Sequence, residues 1–191
     1  MIDIKLQKKN QRDLSLKKRL ILHKSINKNN FSFHKILNEN FWFKKSRVVA
    51  SFLSIKSEIS TISLNQFILE SQKILCLPVM TNDDVALIFN QYRKDADLVV
   101  GKYGVKEPIN TKSYLPDIIF TPCLAYDKFG FRLGYGGGYY DKIISYLHSI
   151  KHSFLTVGFA YEDQKVDIVV RDHLDQKLNY ILTEKQLYKI L

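Results

Sequence analysis

No apolar run in this chain approaches the ~20 residues that a membrane-spanning helix needs, and VVASFLSI is among the longest. The N-terminus lacks the apolar core of a secretory signal, so the chain reads as a cytoplasmic protein with no membrane partner. Cysteine is scarce. Cys76 and Cys123 lie far apart in apolar stretches, which points to buried free thiols in a reducing compartment, not to a disulfide or a metal pair. His23, His34, His148, His152 and His173 show no zinc-site spacing, and the pair at 148 and 152 falls near a helix end, where a surface position is expected. A Gly-Lys-Ser/Thr sequence is absent, which excludes a P-loop kinase. So are repeats, low-complexity tracts and any linker rich in Pro, Gly or Ser, and residues 1–191 therefore read as one domain.

What is present is an ordinary globular balance, 46% hydrophobic and 25% charged, which argues against disorder. The charge is unevenly placed. Residues 1–47 hold 13 Lys/Arg against 3 Asp/Glu, whereas the remainder holds 16 of each, so the whole excess of +10 is N-terminal. A basic nucleic-acid-binding protein is one reading of such a segment. Lysines outnumber arginines 23 to 6 and no named nucleic-acid motif occurs, which disfavours it. A solvated helix face explains most of these lysines, and a few of them are expected to meet anionic ligands.

The periodicities give an alternation of strands and helices. Leu6–Ile26 reads as a long helix, followed by the Asn-rich break Asn27–Asn30 and a short helical stretch over Phe33–Leu37; residues 1–45 thus form a basic helical segment packed on the domain. Arg47–Leu53, Lys73–Pro78, Val85–Tyr92 beyond an Asn-Asp-Asp turn, Leu98–Gly101, Asp117–Pro122, Phe154–Phe159 and Asn179–Leu182 read as strands. Ser60–Ser71 and Tyr139–Ile150 read as helices, and Thr183 is expected to cap a terminal one. The fold class is α/β: a single three-layer α/β/α Rossmann-like domain with a mostly parallel central sheet.

Half of the eight glycines fall within five positions, at Gly134, Gly136, Gly137 and Gly138, between the strand DIIFTP and the helix that opens at Tyr139. A glycine-rich turn entering a helix leaves backbone N–H groups unpaired and adds the positive end of the helix dipole, so a phosphate is the natural guest. Arg132 can grip phosphate oxygens in two-pronged fashion, and Asp141 is placed to ligate magnesium. A tight strand-to-helix turn is the plain alternative.

The run Arg132-Leu133-Gly134-Tyr135-Gly136-Gly137-Gly138-Tyr139-Tyr140-Asp141, with its lead-in Pro122, Ala125-Tyr126-Asp127 and Gly130, resembles the glycine-rich motif of the 5-formyltetrahydrofolate cyclo-ligase family. Glu58 and Thr61 in SEIST, Pro78 in ILCLP, Gly104, Glu107 and Pro108 in KYGVKEP, Glu162-Asp163-Gln164 and Thr183-Glu184 agree in order and spacing, so the resemblance runs from about Lys8 to Glu184. It implies a reaction in which ATP phosphorylates the formyl oxygen of 5-formyltetrahydrofolate, the 10-nitrogen closes the ring, and phosphate leaves to give 5,10-methenyltetrahydrofolate. It implies that ATP is bound by Lys8, Arg12 and the run from Arg132 to Tyr140, with Arg132 also catalytic. The folate, with or without a polyglutamate tail, would meet Leu53, Glu58 and Tyr135 to Tyr139. Asp141 and Asp175 would hold Mg²⁺. The chain departs from the family at Gln11, Phe52, Cys123 and Tyr126; Phe52 keeps a ring for pterin packing but loses a hydroxyl. A monomer or weak dimer is expected. The alternatives are a same-fold ATP-binding enzyme with a different acceptor and the nucleic-acid-binding protein.

Overall fold

The computed structural model describes residues 3–25, 33–81, 87–94, 96–101, 104–109 and 111–191. The Asn27–Asn30 break, the Asn-Asp-Asp turn at 82–84 and the first residues of the strand expected from Val85 lie outside these residues. In chain order come α1 (Ile4–Ser25), α2 (Phe33–Glu39), α3 (Phe41–Lys45), β1 (Val48–Ala50), α4 (Ile62–Glu70), β2 (Ile74–Met80) and β3 (Leu87–Gln91). There follow β4 (Leu98–Val100), β5 (Lys106–Pro108), β6 (Ile118–Pro122), β7 (Ala125–Tyr126), β8 (Arg132–Leu133), α5 (Tyr139–Ser149), β9 (Leu155–Phe159), a 3-10 turn (Glu162–Gln164), β10 (Tyr180–Leu182) and β11 (Leu187–Lys189).

Seven strands form one sheet in the order β11-β10-β9-β6-β1-β2-β3. The five central strands run parallel, and β3 and β11 close the edges antiparallel. The pleat sorts the side chains of β6. Ile118 and Phe120 join the core under α2, α3 and α4, with Phe43, Leu64 and Ile68, while Ile119 points to the opposite face, where Ile143 and Leu147 of α5 pack. Being covered on both faces, β6 has no polar alternation to offer, which is why it reads as an unbroken apolar run. From β1 the chain steps to β2 on one side and reaches β6 on the other. The order reverses between them, and a crevice opens there at the carboxyl ends of the strands.

Two expectations are corrected. The terminal helix after Thr183 is instead the hairpin strand β11, paired Leu182↔Leu187 through Tyr180↔Lys189. The Thr183 hydroxyl accepts from the N–H groups of Lys185 and Gln186, which closes a tight turn where a helix cap was expected. The first strand stops at Ala50 and does not reach Leu53. Beyond it the backbone bonds to side chains: Phe52 O accepts from Asn65 Nδ2, and Ser54 N donates to Thr61 Oγ1.

Candidate active site

Helix α1 lies across the carboxyl edge of the sheet. Its partners are Ser57 beyond β1, Cys123 and Gly134 beyond β6, and the segment 168–175 before β10. It sits there inside out. Lys8, Ser15 and Arg19 are its buried residues, whereas Leu6, Leu14, Leu20 and Ile21 are exposed. Gln11, whose place the family pattern gives to an apolar residue, donates from Nε2 to Ile168 O and accepts at Oε1 from Val170 N, both at 2.8 Å. That pair of bonds fastens the helix to an irregular stretch with no ladder of its own.

At the mouth of the crevice Glu58 is 5% exposed. Its Oε2 accepts from Ile55 N at 2.8 Å, and Oε1 lies 3.8 Å from Arg19 Nη1. Burial raises its pKa above the ordinary carboxylate value, against the lowering pull of the Ile55 bond and of Arg19. Arg19 is fully buried, donating from Nε to Ser57 Oγ at 3.2 Å, from Nη1 to Cys123 O at 3.3 Å, and from Nη2 to the Tyr135 hydroxyl. An open cleft of about 350 Å³, lined by Leu16, Lys17, Leu20, His23, Lys56 and Ser57, adjoins this centre through Lys56 and Ser57.

The glycine-rich loop forms the other wall. Gly136 (φ +108) and Gly138 (φ +69) adopt left-handed backbone that side chains resist, and Gly138 precedes the first residue of α5. Arg12 lies along the loop, donating from Nε to Gly134 O at 2.9 Å, with its guanidinium carbon 3.3 Å from where a side chain at Gly136 would begin. Arg132, 7% exposed, pairs with Asp141 (Nη2 to Oδ1, 3.1 Å), which also accepts from Gln176 N. The next link is Asp175, whose Oδ2 meets Lys8 Nζ at 2.6 Å; Lys8 also pairs with Asp172 at 2.8 Å. Although burial pulls the other way, bonds to these two carboxylates hold the Lys8 pKa above its ordinary value, and Lys8 in turn lowers that of Asp172.

Lys8, Arg12, Arg132, Asp141 and Asp175 therefore form one connected patch, with Glu58 reached through Tyr135 and Arg19. Lys8 contacts carboxylates and Arg12 the loop backbone. Leu53 is half-buried in the irregular stretch beyond β1. The side chain of Leu133 is core, packed with Leu124, Ala125 and Val169, so only its backbone faces the loop. Tyr139 and Tyr140 both pack partly on the α5 face of the sheet. Phe52 belongs to the main core at 4% exposure. Cys123 is buried with its thiol pushed up to about 12 by desolvation, and it is not among the positive-φ residues, so a side chain is tolerated there. Ser51 Oγ, Thr121 Oγ1 and the Tyr140 hydroxyl are buried with no hydrogen-bond partner among the described residues. They lie at the carboxyl ends of β1 and β6 and at the start of α5, the elements that enclose the crevice, where a polar ligand would satisfy them.

The sequence marks Gln11 only as a departure from the family pattern and assigns no role to Arg19 or Asp172. A signal existed, because Lys8, Arg12, Ser15 and Arg19 recur at intervals of four, three and four, which is one face of a helix.

The model of the 5-formyltetrahydrofolate cyclo-ligase family matches residues 4–184. A 5-formyltetrahydrofolate cyclo-ligase of Haemophilus influenzae is 36% identical over 145 residues, 73% of this chain and 76% of that one. One from Escherichia coli K12 is 29% identical over 150 residues, 75% and 81% of the two chains. Among solved structures, the Aquifex aeolicus 5,10-methenyltetrahydrofolate synthetase superposes with a TM-score of 0.76 at 28% identity, covering 96% of this chain and 92% of that one. A Mycoplasma pneumoniae synthetase shares the fold, with a TM-score of 0.67 at 22% identity, covering 93% and 98%.

Proposed function

The chain belongs to the 5-formyltetrahydrofolate cyclo-ligase family, and from that membership we propose that it closes 5-formyltetrahydrofolate to 5,10-methenyltetrahydrofolate with release of ADP and phosphate from ATP. The observation that carries the reading is the junction of two walls at one crevice, the Glu58 wall beyond β1 and the Arg132–Asp141 wall beyond β6.

The chemistry asks the protein to place two substrates and neutralise charge, since the γ-phosphoryl group itself activates the formyl oxygen as a leaving group. Arg12, the loop amides near Gly136 and Gly138, and Arg132 surround the phosphates. Glu58 accepts hydrogen bonds from the folate, and the cleft at Leu16 and Leu20 receives its apolar length. Lys17 and Lys56 on that cleft offer charge to a glutamate tail, single or extended. When the formyl oxygen has taken the phosphoryl group, the 10-nitrogen attacks the formyl carbon and gives up its proton, and phosphate carries off the oxygen.

Magnesium fits the donor set. The bonds described for Asp141 both use Oδ1 and those for Asp175 both use Oδ2, leaving one oxygen on each carboxylate for a cation. No group of three or more metal-ligating side chains occurs among the described residues, and magnesium takes one or two carboxylates with phosphate and water completing its shell. Bound there it would neutralise charge on the transferring phosphoryl group. Lys8, held by Asp172 and Asp175, would add its positive charge on the side of the phosphates. None of the described helices is long and apolar enough to cross a membrane.

The test is the near-ultraviolet absorbance of the methenyl product when protein meets 5-formyltetrahydrofolate with and without Mg-ATP. An ATP-dependent rise that is lost in Arg132→Ala supports the reaction and the loop's part in it. ATP binding without any rise points to a same-fold enzyme with another acceptor, and no ATP binding defeats the reading of the loop.

A further inference from the structure

Arg19 is a charge that the core does not need. A guanidinium carried out of water costs several kcal/mol unless it is well paired, and an apolar side chain of similar volume would stabilise the helix at least as well. Its pairing is loose, because Glu58 Oε1 stands 3.8 Å away, beyond hydrogen-bond reach. What the guanidinium does instead is span three segments that the fold brings from remote parts of the chain. Its acceptors are Ser57, Cys123 and Tyr135, which lie 38, 104 and 116 residues away in sequence. The first adjoins Glu58 on the acceptor wall, the second ends β6, and the third is the tip of the glycine-rich loop. The Tyr135 ring also stacks against Arg19, with the guanidinium carbon 5.3 Å from its centroid, and against Lys56 from the acceptor side at 5.9 Å. A planar fork of five donors can serve these directions at once, and a lysine ammonium cannot.

We propose that Arg19 is a positioning residue of the site, holding the Glu58 wall and the tip of the glycine-rich loop at Tyr135 in register through one guanidinium. The inference rests on the functional reading above, in which those two walls receive the folate and the phosphates. It assigns the anchoring of α1 and the alignment of the site to different residues. Gln11 and Lys8 fasten the helix to the segment 168–175. Arg19 sets the distance between the walls.

The experiment compares Arg19→Lys, Tyr135→Phe, Glu58→Gln and the double variant Tyr135→Phe/Glu58→Gln with wild type, measuring kcat and both KM values by methenyl absorbance, with a thermal melt of each. Arg19→Lys is expected to lower kcat/KM by about a hundred-fold, the cost of misplacing one wall by about an ångström. Tyr135→Phe removes the hydroxyl's bonds to Arg19 and Glu58 and is expected to lower kcat/KM by roughly 2–10-fold, raising KM for folate and for ATP together while the melt stays near wild type. Because Tyr135 meets Glu58 directly as well as through Arg19, the losses in Tyr135→Phe and Glu58→Gln are expected not to add on folate KM. Additive losses, or an Arg19→Lys enzyme with wild-type constants, overturn the proposal. Should Arg19→Lys fail to fold, Ser57→Ala, which removes only the acceptor of Arg19 Nε, takes its place: a rise in both KM values is expected, and wild-type constants overturn the proposal. A wild type that makes no methenyl product defeats the functional reading and this inference with it; an active wild type with additive variants defeats this inference only.

Discussion

Replacing Gly134 and Gly138 separately by alanine isolates the conformational part of the loop's design. Neither position meets an atom within 4 Å where a Cβ would stand, so neither substitution introduces a clash. They differ in backbone: Gly138 sits at φ +69, whereas Gly134 is not among the positive-φ glycines. An alanine stiffens the unfolded chain equally at both sites, a stabilisation of about 0.4–1 kcal/mol. Only at Gly138 does it also suffer the left-handed penalty of roughly 1–2 kcal/mol. The unfolded-state contribution cancels in the difference, so Gly138→Ala should be less stable than Gly134→Ala by that same penalty. For a chain of this size this corresponds to about 2–8 °C in melting temperature, with Gly134→Ala at or slightly above wild type. A differential scanning fluorimetry series without ligands measures it. If Gly138→Ala melts as high as Gly134→Ala, the left-handed conformation is not what glycine supplies at the head of α5. On the functional reading both methyl groups also intrude where the phosphates lie, so Gly134→Ala should be at least as stable as wild type yet bind ATP less tightly.

Three other perturbations carry defined signs. Glu58 has a raised folded pKa, so its neutral form favours folding at low pH and that contribution is lost as pH rises through the folded value. Glu58→Gln should therefore melt above wild type near neutrality, match it in acid, and turn over folate poorly; a lower melt at pH 7 contradicts the burial argument. Asp172 is depressed by Lys8, so its contribution is present above the unfolded carboxylate pKa of about 3.9 and is lost as pH falls through the lower folded value. The stability gap between wild type and Lys8→Met should accordingly be flat near neutrality and close in acid, and a urea titration series that finds it widening there rules the pairing out. Asp141→Asn leaves the Arg132 side chain, 4% exposed, without its counter-charge. It should cost about 1–3 kcal/mol in denaturant titration and weaken the response of activity to magnesium, and an unchanged midpoint would show that the pair does not bear on stability.

The sheet was legible because parallel strands covered on both faces must be continuous apolar runs, as at Ile118–Pro122 and Leu155–Phe159. The glycine loop was legible because two of its positions, Gly136 and Gly138, hold a left-handed φ that favours glycine. Other parts obey tertiary partners that leave little local trace. The stretch Phe52–Ser54 carries strand-forming residues, yet Asn65 and Thr61, both later in the chain, take its backbone bonds. Thr183 has a helix-cap side chain, but the parallel pair β9–β10 leaves an edge that the last residues cover as a strand. Arg19 hid among the many basic residues of α1, since nothing in composition marks which of them turns inward. The spacing of Lys8, Arg12, Ser15 and Arg19 did mark it, for a reader who looked for polar rather than apolar periodicity.

A helix that is inside out has a consequence for the order in which the molecule is made. An ordinary N-terminal helix can dock on whatever apolar surface is synthesised next, but α1 waits for specific polar partners. Gln11 and Lys8 find theirs 157 to 167 residues later. At translation speeds of about 5–20 residues per second, that is roughly 8–30 s during which the partners of the first half of α1 are not yet made. Arg19 and Leu22, farther along the helix, meet earlier-made segments. The first half of α1 can thus be fastened only after residues 168–175 are made, and that fastening joins both walls of the crevice. A nascent or partly unfolded chain can hold most of its sheet and still have no active site.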